Sequence, residues 1–113
     1  MKIYKRKDSH LYCGHWNGSP LEIGITENLA EIPDGEAYHY HEFHEFYLFL
    51  DGRGQMEVHG EIIPIEKGSL LMVEPGEMHR IAAIDPEVGL QWVIIKEQSI
   101  PRGKHLANNE HAG

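Results

Sequence analysis

Glycines at positions 52, 60, 68 and 76 recur every eight residues, and strand-forming runs lie between them. Those runs are Gln55 to Val58, Ile62 to Ile65 and Leu70 to Val73, with Asp51, His59, Lys67 and Pro75 beside the glycines. Strands of about five residues joined by tight turns give that spacing, which marks an antiparallel sandwich or barrel. Ile81 to Ile84, a turn at Asp85-Pro86 and the run Leu90 to Lys96 add two more strands. No stretch sustains helical periodicity with caps. The count is roughly eight to ten strands, enough to close a barrel around one small ligand.

The flanks are less regular. Residues 1–20 end in a turn at Asn17-Gly18-Ser19-Pro20 and offer an edge strand or a segment that packs on a partner subunit. Leu21 to Ile32 gives one or two strands with a break near Glu27-Asn28, and Pro33-Asp34-Gly35 is a turn. The tail, 99–113, is expected to be loose or only briefly helical, and its His105 and His111 to be idle.

A chain of 113 residues fits one domain, 1–113, and a core of that size buries roughly two-thirds of the unfolded surface. Cys13 has no partner in the chain, which suits a reducing, cytoplasmic setting. No window approaches the roughly 18 apolar residues of a membrane span. The basic start has no apolar run behind it and is not a secretory signal. A net charge of −8 argues against nucleic acid, which wants a basic face.

Nine histidines are present, and three of them crowd into His39-Tyr40-His41-Glu42-Phe43-His44-Glu45, ahead of the apolar run Phe46 to Leu50. On an extended chain, residues two apart share a face about 7 Å apart. His39 and His41 can therefore converge on one ion through bonds of about 2 Å. The same parity places Glu45 with them and His44 on the other face, provided the chain stays extended through Glu42-Phe43-His44. A further ligand has to come from another strand. Glu74-Pro75-Gly76-Glu77-Met78-His79 supplies a rigid turn followed at once by a histidine.

These residues resemble the two motifs of the cupin superfamily. The first reads Gly35, then His39-Tyr40-His41, three residues, Glu45, six residues and Gly52. The second reads Gly68, five residues, Glu74-Pro75-Gly76, two residues and His79. Together the motifs occupy about residues 35–83. Gly35 stands three residues before the histidine pair rather than five, Glu74 stands where a proline is expected, and Ala83 replaces a final Asn. None of these departures removes a ligand. The resemblance implies an all-β double-stranded β-helix (jelly-roll) barrel with His39, His41, Glu45 and His79 as metal ligands, and a homodimer.

Three imidazoles and one carboxylate suit one divalent transition ion, Fe, Mn, Ni, Co or Zn. Such an ion polarises a carbonyl or acidifies bound water. Tyr47 and Phe49 share the inner parity, and the Tyr47 hydroxyl is the candidate catalytic acid. His44 reads as outward-facing or as a buttress, His59 as a solvated hairpin tip, and Arg53 as a surface residue in a turn. Arg80 should point away from His79. Trp92 and Met72 are candidate pocket walls or ordinary core. Phe46, Leu48 and Leu50 imply a strand covered on both faces, by a second sheet or a subunit.

The expected function is a metal-dependent enzyme on a small polar, oxygen-bearing molecule, of dioxygenase, isomerase or lyase type. The alternative is a non-catalytic module that binds or senses a sugar or organic acid.

Overall fold

The computed structural model describes residues 1–6, 10–101 and 104–106. Among these it has nine strands: β1 (Leu11–Cys13), β2 (Glu22–Ile25), β3 (His39–Tyr40), β4 (Glu45–Val58), β5 (Glu61–Glu66), β6 (Leu70–Val73), β7 (His79–Ile84), β8 (Leu90–Lys96) and β9 (His105–Leu106). One short 3₁₀ turn, His15–Asn17, interrupts the pattern. All pairings are antiparallel. One sheet runs β1-β2-β8-β4-β6 and the other β5-β4-β7-β3-β9, so the chain is a double-stranded β-helix.

Strand β4 belongs to both sheets. Glu45 to Leu48 pair with β6 and Glu45 to Gly52 with β8, whereas Arg53 to Val58 pair with β5 and Gly54 to Val58 with β7. A register shift between Phe49 and Asp51 marks the crossing. An extra residue there inverts side-chain parity. Glu45, Tyr47 and Phe49 point inward before it, and Gly54, Met56 and Val58 after it.

Gly52 is therefore not the hairpin tip that the eight-residue period suggests. It lies within β4 at φ +88°, and a Cβ there would sit 1.9 Å from the Gly89 carbonyl oxygen. Arg53 is likewise on the strand rather than in a turn; its side chain is exposed and pairs with Asp85 at 3.1 Å. The other three glycines do occupy turns, all at positive φ, and His59 at the β4–β5 tip is exposed.

Tyr47, Phe49, Met56, Ile65, Val73, Ile81, Leu90 and Trp92 form the core between the sheets. Burying each large apolar side chain stabilises by about 1.5–3 kcal/mol. Trp92 is core, as one of its two readings had it. Met72 is 45% exposed on the outer face and so is neither pocket wall nor core, because β6 alternates and Val73 takes the inward position.

The tail differs from its expectation. His105 and Leu106 pair with β3, and the His105 ring stacks on Tyr40 with centroids 4.8 Å apart. His111 lies outside the described residues. No helix among the described residues is long and apolar enough to cross a membrane.

Candidate metal centre

Two sheets supply the site. Strand β3 places His39 directly opposite His79 of β7, and Glu45 opens β4. His41 follows β3 in a segment that bends at Glu42-Phe43. That bend removes the extended geometry on which the parity argument for Glu45 depended. The residues nonetheless meet. The backbone N–H of Gly76 donates to the His41 carbonyl at 2.8 Å, hooking the Pro75-Gly76 turn onto the histidine segment and aiming His79 inward.

His39, His41, Glu45 and His79 are all buried, none more than 5% exposed. One donor atom from each lies within 4.8 Å of the others. An ion with bonds of about 2.1 Å needs neighbouring ligands about 3 Å apart and opposite ones about 4.2 Å apart. His79 Nε2 lies 2.7 Å from Glu45 Oε1, and His41 Nε2 lies 3.4 Å from the same oxygen.

Hydrogen bonds orient the rings. A carbonyl oxygen only accepts, so His39 Nδ1 donates to Ala37 at 2.6 Å and His79 Nδ1 donates to Glu77 at 3.0 Å. Both rings then turn Nε2 inward, the arrangement that fixes a metal-ligating tautomer. Burial pushes the His39 imidazole down to about 3, against the opposing hydrogen bond to Ala37, and so favours its neutral, ligating form. Burial opposes ionisation of Glu45, but hydrogen bonds and Coulombic attraction from His41 and His79 outweigh it and hold the carboxyl well below its usual range. The residues could hold one divalent ion.

Tyr47 is fully enclosed beside this group, its ring 5.9 Å from His79. Burial, followed by the nearby Glu45 and Glu36 charges, pushes its hydroxyl well above the ordinary phenol range. His44 turns away to pair with Glu97 at 2.7 Å, and Glu42 is exposed. Arg80 also faces outward, on Glu57 at 2.8 Å and over the Tyr38 ring.

Two groups near the site were missed in the sequence. Glu36 accepts a hydrogen bond from Ile81 N–H at 2.7 Å; burial pushes its carboxyl pKa up, against that bond and the attraction of Lys104 and His79, and the Glu45 charge adds to the rise. Lys96 stands opposite Glu45 in the β4–β8 register. Only cross-strand register reveals either one. The sole local signal was the position of Glu36 after the Gly35 turn.

A family model described as "Cupin domain" matches residues 28–96. The tetracenomycin polyketide synthase protein TcmJ of Streptomyces glaucescens is 35% identical over 69 residues, which is 56% of this chain and 46% of that protein. The chain thus spans about half the length of the curated relative it matches. A cupin protein from Bacteroides fragilis superposes with a TM-score of 0.61 at 20% identity, covering 96% of this chain and 89% of that one. A variant of Bacillus subtilis oxalate decarboxylase superposes with a TM-score of 0.68 at 16% identity, covering 95% of this chain and 31% of that one. Those two likenesses show the fold. With the family match over most of the strands, the chain belongs to the cupin domain family.

Proposed function

We propose that this cupin is a metal-dependent enzyme acting on a small oxygen-bearing molecule, of dioxygenase, isomerase or lyase type. The observation that carries the reading is the buried His39/His41/Glu45/His79 group, with two of its rings already oriented by backbone carbonyls. These four residues would hold one Fe, Mn, Ni, Co or Zn ion, which when bound supplies Lewis acidity toward substrate oxygens. Tyr47, buried beside this group with its ring 5.9 Å from His79, is assigned the role of steadying Glu45, with the direct acid role as the alternative. Glu36 is the neighbouring carboxylate suited to carry a proton, because burial keeps its protonated form accessible. The names of the polyketide synthase protein and of oxalate decarboxylase support an oxygen-rich substrate.

The test is metal analysis of purified protein, followed by turnover and oxygen uptake with diketones, thiols and hydroxy acids. Stoichiometric metal with turnover supports the enzyme. Stoichiometric metal without turnover across the panel favours a binding module, and stoichiometric metal that survives His41→Ala sinks the ligand assignment.

The homodimer is proposed through the outer face of the β2-β8-β4-β6 sheet. Two apolar rows cross it: Ile23, Ile95, Phe46, Met72 and Ile25, Val93, Leu48, Leu70. Leu70 is 64% exposed. Contiguous apolar rows of this kind mark association surfaces. Sedimentation should give a dimer that Leu70→Lys converts to monomer, and a monomeric native protein would refute the interface.

A further inference from the structure

We propose that Lys104, carried to the rim of the metal centre by β9, binds an anionic group of the substrate. The inference rests on the metal-enzyme reading and names the substrate class: a small acid that chelates the ion at one end and offers a carboxylate at the other.

Register places the lysine. Strand β3 has β7 on one side and β9 on the other, so His39 lies opposite His79 in one pairing and opposite Leu106 in the other. Tyr40 lies opposite His105, and their rings stack with centroids 4.8 Å apart. Directly opposed residues share a face of a sheet, and successive residues alternate between faces. Leu106 is therefore on the face of the buried His39 ring and His105 on the other face with Tyr40. Lys104, next in line, returns to the face of His39. The same register carried one step further brings it level with His41. The site responds to its charge accordingly: Lys104 is among the groups that lower both His39 and Glu36.

Nothing else claims this side chain. Lys104 is exposed, and its ammonium forms no hydrogen bond or ion pair among the described residues. Glu36, the carboxylate it acts on, instead accepts from the Ile81 N–H at 2.7 Å. All three ammonium donors are thus open to a ligand. By contrast, Arg80 pairs with Glu57 at 2.8 Å and Lys96 with Glu22 at 3.0 Å.

An unpaired, exposed lysine ordinarily serves solubility alone. This one stands beside the imidazoles of His39, His41 and His79, where its charge repels an incoming metal ion. An anion that arrives beside the ion offsets that repulsion. In a chain of net charge −8, a local positive field at the rim also decides which way an acidic substrate lies.

The experiment uses protein loaded with Co²⁺ and compares malate with 2-hydroxybutyrate. Both carry the chelating hydroxy acid, and only malate has the second carboxylate. Calorimetry at low ionic strength should show malate binding about fivefold tighter, the upper range for an exposed ion pair. Lys104→Gln should lower malate to the affinity of 2-hydroxybutyrate without weakening Co²⁺, and Lys104→Arg should keep the preference. Lys67→Gln makes the same charge change at the Gly52 crossing, where the Lys67 N–H donates to the Gly52 carbonyl at 3.0 Å, and should leave the preference intact. Equal affinities in the native protein, a malate preference that survives Lys104→Gln, or an equal loss in Lys67→Gln overturns the anchoring role while leaving the metal centre standing. Protein that takes up no Co²⁺ overturns the metal reading, and this inference with it.

Discussion

His79 and Glu45, thirty-four residues apart in the chain, meet with Nε2 2.7 Å from Oε1 inside the barrel. A proton or a metal ion has to bridge two such atoms. His79→Ala should reduce affinity for a divalent ion by more than the 10–100-fold typical of an outer partner, while circular dichroism keeps its β signature. Competition with a chelating dye measures this, and unchanged affinity would show that the ion binds elsewhere.

Tyr47 is expected to act through Glu45. Tyr47→Phe should weaken the ion by about 10–100-fold and alter KM little for a substrate that does not touch the ring. A variant with native metal affinity and reduced kcat alone would return Tyr47 to a direct proton-transfer role.

Acid should destabilise the metal-free protein in two stages. The buried His39 imidazole is depressed from 6.5 to about 3. Below pH 6.5 the unfolded chain takes up a proton that the folded chain refuses, so stability falls with pH by up to about 1.4 kcal/mol per unit. Glu45, depressed from 4.5, adds a second loss below that value. Thermal melts of chelator-treated protein from pH 7 to pH 4 should show both stages, and His39→Leu should flatten the first. A melting temperature flat between pH 6.5 and 4.5 would contradict the depressed histidine.

Gly52 is expected to tolerate nothing larger. Its φ of +88° and the 1.9 Å approach of its notional Cβ to the Gly89 oxygen set strain and clash together. Gly52→Ala should cost at least about 3 kcal/mol, read as a shifted urea midpoint. Gly60→Ala, at a turn with no atom within 4 Å of the notional Cβ, should cost about 1 kcal/mol.

Short strands, the Pro33-Asp34-Gly35 turn and all four buried ligand-type residues were legible because each leaves a local trace in spacing or turn chemistry. The crossing at Gly52 was not. A glycine at a bulge and a glycine at a hairpin tip both need positive φ, and only the partner strands tell them apart. The pairing of His105-Leu106 with β3 was hidden for a similar reason, since two residues carry no periodicity. The motif spacing also gave the right inward residue at Glu45 although the chain bends at Glu42-Phe43 and voids the alternation argument. Glu36 and Lys96 were out of reach because their positions depend on which strands lie side by side.

The undivided course of β4 has a consequence for ion size. Glu45 reaches the site from one sheet and His79 from the other, and a single backbone ties the two sheets together through Asp51-Gly52. The sheets act as jaws on one fixed spring. Because the sheets are joined there, the separation of Glu45 from His79 depends on the geometry of that join. Preference among ions of different radius is accordingly set in part by the bend at Gly52, a residue that carries no ligand atom.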